Sequence, residues 1–200
     1  GALNLESDRE GTFTEADAEL LQFFAVAAAI AIEKALLHRQ VLEKQRIESQ
    51  LRIAREVQAG LLPAAPPELA GYDIAAANLP TWEIGGDYYD YIPLPDGRLG
   101  LVVADVSGKG VPAALIMATF RAALRTALRR EGSTPEVAEE MNRVLLEVTG
   151  ASRFVTAVYG ILDPVSGRFT YVNCGHNPPL LLGPGGRREV LDAGGPALGL

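Results

Sequence analysis

The chain has 200 residues, a length that suits one ordinary domain or parts of two. Hydrophobic residues make up 48% and charged residues 22% of the sequence, and these values allow a folded core. The formal net charge of −7 and the single cysteine exclude a basic nucleic-acid surface and an internal disulfide. We therefore expect no nucleic-acid partner and, because no signal peptide is visible, a cytoplasmic protein.

A long helix is the first predicted element, because residues 12–59 contain neither glycine nor proline. Thr14 is typical of an N-cap, and Gly60 and Pro63 end the segment. The longest apolar run, 23–32, is about half of the roughly 20 residues that span a bilayer. The sequence therefore predicts a bridging helix and no membrane span.

The two halves of this helix have different surfaces. Residues 20–37 are apolar almost all round, which predicts burial against a sheet. Beyond His38 the apolar residues thin to one heptad seam, made of Leu37, Ile47, Leu51, Ala54 and Leu61 and interrupted by Gln40, Lys44 and Gln58. This seam favours a dimeric coiled coil that can shift register. The alternative is a solvated connector that lies on its own domain.

Shorter elements are predicted after Pro63. Strands are expected at 72–79, 99–106, 154–162, 168–173, 180–182 and 189–191, and helices at 111–130 and 133–148. The strands 154–162 and 168–173 form a predicted hairpin. Strands, then two consecutive helices, then more strands indicate an α+β layered domain rather than a doubly wound one.

Two acidic motifs carry the candidate chemistry. Ile-Gly-Gly-Asp-Tyr-Tyr-Asp occupies 84–90, and Ala-Asp-Val-Ser-Gly-Lys-Gly occupies 104–110. Each places an aspartate, Asp87 or Asp105, beside glycines that let the backbone approach a ligand. Carboxylate and carbonyl oxygens are ligands of Mg²⁺ and Mn²⁺, and two such ions can clamp a phosphoryl group. The alternative is a pair of glycine-rich turns without a metal.

Three other interpretations are less well supported. Gly85-Gly86-Asp87 occurs in diguanylate cyclases, but Glu-Phe follows there and Tyr-Tyr follows here. Gly108-Lys109 lacks the spacing and the following Ser or Thr of a phosphate-binding loop. His176 has no second His or Cys nearby in the sequence, so we expect it to order a loop rather than to bind zinc.

Several motifs in a fixed order point to a known family. They are Gln-Ala-Gly-Leu-Leu-Pro at 58–63, Gly-Gly-Asp-Tyr-Tyr-Asp at 85–90, Asp-Val-Ser-Gly-Lys-Gly-Val-Pro-Ala at 105–113, Phe-Val-Thr at 154–156 and Asn-Cys-Gly-His-Asn-Pro-Pro at 173–179. From about residue 50 onward the chain resembles the SpoIIE/RsbU-type branch of the protein phosphatase 2C (PPM) family. The resemblance implies an α-β-β-α sandwich, two Mn²⁺ or Mg²⁺ ions, and hydrolysis of phosphoserine or phosphothreonine on an anti-anti-sigma-type partner.

The resemblance also assigns roles to individual residues. It implies that Asp87 and Asp105 are catalytic metal ligands, that Asp105 bridges the ions, and that the Val106 carbonyl is a further ligand. Four other residues are expected to support these ligands: Asp90, Gly86, Ser107 and Gly108.

Three segments follow from the same comparison of motifs. Residues 1–38 resemble the C-terminal part of a GAF sensor domain, with 1–5 as its last strand. Residues 39–62 form a predicted coiled-coil linker that would make a homodimer, and 63–200 form the N-terminal portion of the phosphatase domain.

The family has further metal aspartates after the motif that resembles 198–200, and this chain has none. We therefore expect an incomplete domain that is nearly inactive alone. The alternative is a degenerate module that binds its partner without hydrolysis.

Overall fold

The computed structural model describes residues 2–79, 84–131, 134–149 and 152–200, without the side chains of 131 and 134. The chain divides into two compact units, 1–50 and 51–200. The predicted boundaries after residues 38 and 62 stay predictions. Ser133, the predicted cap of the second short helix, lies outside the described residues.

The long helix, α1, spans Glu15–Ala59. Thr14 caps it as predicted, because the Asp17 amide donates to Thr14 Oγ1 at 3.3 Å and the Thr14 amide donates to Asp17 Oδ2 at 2.8 Å. The strand predicted at 1–5 is wrong for its described part, since residues 2–7 have no regular structure. A strand needs a partner to hydrogen-bond its backbone, and this segment has none in the described part of the chain.

The apolar half of α1 is exposed. No residue of α1 is buried, and Phe23 and Phe24 are 69% and 58% exposed. No sheet among the described residues covers this half, so its burial against a sheet stays a prediction. By length and composition alone, α1 and the second helix described below are both apolar enough to cross a membrane. The second of these helices packs in the core of its domain. Length and apolar composition therefore do not distinguish a membrane-spanning helix from a core helix here.

The last turns of α1 face their own unit. Leu51, Ala54 and Gln58 are half-buried, whereas Ile53 and Val57 between them are exposed. The last turns of the helix therefore pack on their own unit, and pairing of the seam upstream with a second copy stays a prediction. Upstream, a shallow groove with helical spacing remains open on α1, and it is lined by Leu36, Arg39, Gln40, Glu43, Lys44, Ile47 and Glu48.

The second unit is a sheet packed on two helices. The sheet has four antiparallel strands in the order β1-β2-β3-β4: β1 Tyr88–Pro93, β2 Leu99–Val106, β3 Val155–Asp163 and β4 Arg168–Cys174. The helices α2 Val111–Glu131 and α3 Thr134–Thr149 connect β2 to β3. A separate antiparallel pair contains β5 Leu180–Leu182 and β6 Arg188–Val190. The predicted hairpin of β3 and β4 is confirmed.

Side chains alternate between the two faces of the sheet. The inner face packs on α2 and α3 and forms the core with fully buried residues such as Tyr88, Phe120 and Leu145. Cys174 lies in this core, and burial raises the pKa of its thiol to about 11. The outer face carries partly exposed residues, among them Val103. The two candidate aspartates lie at one end of this outer face.

Two predictions about strands differ from the structure. Residues 73–79 form no strand. Ile74 and Ala75 line a cavity of about 360 Å³ with Tyr89 and Phe169. The edge position is taken by β1, which the sequence did not predict.

Candidate metal centre

Asp87 and Asp105 meet at one end of the sheet. In the antiparallel register Tyr88 pairs with Ala104, so Asp87, one residue before Tyr88, comes beside Asp105, one residue after Ala104. Burial, the neighbouring charge of Asp87 and a hydrogen bond to Asp87 raise the pKa of Asp105. Both carboxylates are exposed enough to accept a ligand. The structure thus brings together the two aspartates that the motifs predicted.

Gly86, the residue before Asp87, packs closely on the backbone of Val106. A Cβ on Gly86 would come within 2.7 Å of the Val106 carbonyl oxygen and 2.9 Å of Val106 Cβ, distances that real side chains do not adopt. Glycine is therefore required here by close approach of the two backbones, as P-loops and similar ligand sites require it. This contact joins the backbone before Asp87 to the backbone after Asp105, and the supporting role of Gly86 beside a metal stays a prediction.

The backbone before Asp87 is held by the end of α1. Gln58 Nε2 donates to the Gly85 carbonyl oxygen at 2.6 Å, and the Gly85 amide donates to Gln58 Oε1 at 3.2 Å. One side-chain amide thus satisfies both polar groups of Gly85, two residues before Asp87. Just after α1, the Leu61 carbonyl accepts a hydrogen bond from Arg121 Nε of α2 at 2.7 Å. The sequence motif contained Gln58, but nothing in the sequence indicated this contact.

The loop after Asp105 is fixed to the start of β3. The Ser107 amide donates to the Phe154 carbonyl at 2.9 Å, and the Phe154 amide donates to Ser107 Oγ at 2.9 Å. Gly108 has a φ of +99° and lies against the guanidinium of Arg153. Ser107 and Gly108 therefore shape this loop, and their supporting role beside a metal stays a prediction.

The first turn after β4 places His176 near the aspartate pair. The Asn173 side chain accepts from the His176 amide at 2.8 Å and donates to the His176 carbonyl at 3.0 Å, so Asn173 orders this turn. The imidazole Nδ1 is 2.9 Å from Thr156 Oγ1. Its charge opposes the rise in the pKa of Asp105, which places the ring near the candidate centre. Thr156 and Asn173 had no role in the sequence prediction.

Asp90 belongs to the opposite face of the sheet. It is 2% exposed, and its Oδ2 accepts hydrogen bonds from Tyr88 Oη at 2.5 Å and from Arg125 Nη1 at 2.9 Å. Three residues after Asp87, it points to the helices rather than to Asp105. The supporting role predicted for Asp90 beside the metal is therefore corrected: its carboxylate forms a buried ion pair with α2.

The arrangement fits a hard divalent ion in part. Two adjacent carboxylates and a nearby carbonyl oxygen are ligands that Mg²⁺ and Mn²⁺ accept, and Mg²⁺ keeps several waters in most sites. Burial, and after it the like charge of Asp87, raises the pKa of Asp105, and a bound cation would favour the charged form of both carboxylates. Within the described ranges, however, no group of three or more His, Cys, Asp or Glu residues lies together as a metal cluster. The described residues supply part of a ligand set.

Comparison with known proteins agrees with this geometry. The family model described as Stage II sporulation protein E (SpoIIE) matches residues 95–200, just over half of the chain. The protein named phosphoserine phosphatase RsbU from Bacillus subtilis (strain 168) is 34% identical over 158 residues, which cover 78% of this chain and 47% of RsbU. The chain thus spans about half the length of this relative.

Two solved structures share the fold. A structure of the RsbU and RsbW domains of Rv1364c from Mycobacterium tuberculosis has a TM-score of 0.52 and 37% identity, over 66% of this chain and 34% of that one. The SiaA-PP2C domain of Pseudomonas aeruginosa has a TM-score of 0.60 at 21% identity, over 78% of this chain and 64% of that one. The predicted α+β fold, an incomplete PPM sandwich, is confirmed by this likeness. The chain belongs to the SpoIIE family and has the fold of its PP2C-type phosphatase domains.

Proposed function

We propose that this protein is a metal-dependent serine/threonine phosphatase of bacterial signalling. The observation that carries the proposal is the meeting of Asp87 and Asp105 at one sheet end, with the Val106 carbonyl packed against Gly86. The relative named phosphoserine phosphatase RsbU supports the same activity.

Two Mn²⁺ or Mg²⁺ ions are the proposed cofactors. Asp87 and Asp105 would hold them, with Asp105 as the shared ligand and the Val106 carbonyl as a further oxygen. Such ions supply an activated water and neutralise charge on a phosphoryl group. Ser107 and Gly108 hold the loop beside Asp105, and Gln58 holds the backbone before Asp87, so the two carboxylates are oriented before a ligand arrives.

The proposed substrate is a phosphorylated serine or threonine on an anti-anti-sigma-type protein. One solved relative contains an RsbU domain and an RsbW domain. This supports a place for the present protein among regulators of the anti-sigma-factor pathway. Phosphate release from a purified phosphorylated partner, followed by mass spectrometry of the partner, identifies the residue that loses its phosphate.

Control by a GAF sensor through α1 is the proposed regulation. The exposed apolar surface of residues 20–37 supports a covering domain there, and the open groove of residues 36–48 supports pairing of two α1 helices in a homodimer. A cytoplasmic location without a membrane partner is part of the same proposal.

An activity assay on the full-length protein tests the function. We expect phosphatase activity that requires Mn²⁺ or Mg²⁺, is removed by EDTA and falls at least 100-fold in Asp105→Ala. Asp96→Ala, at an exposed turn far along β1 from the pair, is the matched control and should keep full activity. Activity that persists in EDTA, or in Asp105→Ala, would contradict the proposal.

A second candidate is a module that binds its partner without hydrolysis. The observation that favours it is that the described residues hold only two adjacent carboxylates and no larger metal cluster. Calorimetry with Mn²⁺ separates the two candidates. Uptake that Asp87→Asn and Asp105→Asn both abolish supports the enzyme, and a partner complex that forms with no Mn²⁺ uptake supports the binding module.

A further inference from the structure

Arg153 lies at the same end of the sheet as the aspartate pair. Along the β2–β3 ladder Asp105 pairs with Thr156 and Val106 with Val155. The ladder continues for one more step, because the Ser107 amide donates to the Phe154 carbonyl. Arg153 is therefore the next residue in line, beside the loop that follows Asp105.

The guanidinium of Arg153 rests on that loop. Its Nη1 donates to the Ser107 carbonyl at a long 3.4 Å, and a Cβ on Gly108 would collide with the same nitrogen. Gly108 also has a φ of +99°, which disfavours other residues. The glycine thus provides both the turn and the space that the arginine side chain occupies.

The charge of Arg153 is not matched by an acid in the described part of the chain. Some arginines of this unit have such partners, among them Arg125 with Asp90 and Arg187 with Glu189, whereas exposed arginines such as Arg143 have no acid partner among the described residues. What distinguishes Arg153 is that its guanidinium lies on the loop after Asp105. Arg153 is half-buried and has one weak hydrogen bond to a carbonyl, although a guanidinium has five donors. Most of its hydrogen-bonding capacity is therefore available to a ligand.

A phosphate group fits these donors. Guanidinium binds phosphate through paired hydrogen bonds, and its positive charge offsets a dianion that would approach two carboxylates. We propose that Arg153 binds the phosphoryl oxygens of the substrate and positions the phosphate over the loop 107–110, next to Asp87 and Asp105. This inference rests on the proposed phosphatase function and adds a substrate-binding residue to it.

The test compares three variants of the full-length protein: Arg153→Ala, Arg153→Lys and the control Arg143→Ala. Arg143 is an exposed arginine on α3. For Arg153→Ala we expect the KM for phosphoprotein to rise about 10- to 100-fold, the loss of a charged hydrogen-bonded contact. The inhibition constant of inorganic phosphate should rise in parallel. Arg153→Lys should recover part of both, and Arg143→Ala should match wild type.

Two further measurements separate recognition from structure. Mn²⁺ affinity and the melting temperature should stay at wild-type values in Arg153→Ala. A loss of both, or an unchanged KM and phosphate constant, would overturn the inference.

Calorimetric titration with inorganic phosphate, with and without Mn²⁺, needs no turnover. If wild type hydrolyses nothing, the phosphatase proposal fails, while weaker phosphate binding by Arg153→Ala would still support the arginine. Equal phosphate binding by wild type and Arg153→Ala would overturn the inference whatever the activity.

Discussion

At the scale of single residues, Asp90 shows how an acidic motif serves the fold as well as the site. Its buried carboxylate accepts from Tyr88, from the backbone amide of Tyr91 and from Arg125. A buried ion pair with satisfied hydrogen bonds is costly to break, because removing one partner leaves the other charge without compensation. The same pair attaches α2 to β1. Asp90 therefore stabilises the layer on which Asp87 and Asp105 are placed.

Replacing this carboxylate should separate stability from metal binding. We expect Asp90→Asn to lower the free energy of unfolding by about 3 kcal/mol, because Arg125 loses its buried counter-charge. Mn²⁺ affinity, measured by calorimetry below the melting temperature, should not change. Asp96→Asn, whose carboxylate is half exposed and pairs with Arg98, is the control and should change the free energy of unfolding far less. Loss of Mn²⁺ affinity in Asp90→Asn would instead restore its predicted role at the metal.

The raised pKa of Asp105 predicts that the ionised carboxylate, the form that a metal would bind, destabilises the metal-free protein. Because burial and Asp87 raise this pKa, the folded protein holds the proton at pH values where the unfolded chain, with a pKa of about 3.9, has released it. Stability of the metal-free protein therefore falls as pH rises from about 3.9 through the raised folded value. Asp105→Asn should remove this loss and stabilise the metal-free protein at pH 7 by less than about 1 kcal/mol, since the site is partly exposed.

Thermal unfolding in EDTA at pH 7 and pH 3 checks this sign. The advantage of Asp105→Asn should be present at pH 7 and disappear at pH 3, where both states of wild type are protonated. Asp163→Asn is a control of opposite sign, since hydrogen bonds with Ser166 and neighbouring amides lower the pKa of Asp163. Equal melting temperatures of Asp105→Asn and wild type at pH 7 would refute the repulsion.

At the scale of elements, the end of α1 and the start of β1 are joined by one amide side chain. The Gln58 side chain makes two direct hydrogen bonds to the backbone of Gly85, and Gly85 lies two residues before Asp87. A displacement of the last helical turn would therefore reach the backbone that carries a candidate metal ligand. Arg121 and Arg125, one turn apart on α2, bind the segment after α1 and the strand β1 respectively.

Gln58→Ala should weaken the metal site without unfolding the domain. We expect Mn²⁺ affinity to fall about 5- to 20-fold, since loss of two hydrogen bonds frees the backbone before Asp87, each worth about 1 kcal/mol. Gln50→Ala, on an exposed position of the same helix, should bind Mn²⁺ as wild type does. Circular dichroism establishes that both variants are folded. Unchanged Mn²⁺ affinity in Gln58→Ala would show that the amide has no influence on the site.

Most elements could be predicted from local patterns, and the exceptions depend on tertiary contacts. The strand predicted at 99–106 coincides with β2, and the helices at 111–130 and 133–148 agree with α2 and α3 within a residue or two. β1 was missed because Asp90 interrupts its inward apolar positions, and the ion pair that offsets the burial of this acid comes from Arg125 on a distant helix. The two acidic motifs indicated the aspartates as candidates, and the family resemblance assigned them to one metal site. Gln58 and Arg153 could not be predicted, because their contacts join residues far apart in the sequence.

At the scale of the whole molecule, oligomeric state decides how the exposed part of α1 is used. Ile47 lies on the heptad seam, is 49% exposed and lines the open groove. Leu51 on the same seam is half-buried and turned toward its own unit. If the groove pairs with a second copy in parallel register, Ile47→Cys should form a disulfide-linked dimer under mild oxidation.

Non-reducing electrophoresis of the full-length Ile47→Cys variant measures this dimer. Arg46→Cys, one residue away and off the seam, is the control and should cross-link much less. Cross-linking of both variants to the same extent, or of neither, would contradict parallel pairing through this seam.

The buried position of Cys174 makes such experiments unusually simple. With a pKa near 11, this thiol is almost entirely protonated at neutral pH, and the core shields it from reagents. Within these 200 residues, a cysteine introduced at the surface is then the thiol that reacts with a fluorophore or spin label, without prior mutation of Cys174. Distances between labels on α1 and on the sheet domain could be followed in an otherwise wild-type protein while a signal or a metal ion is added.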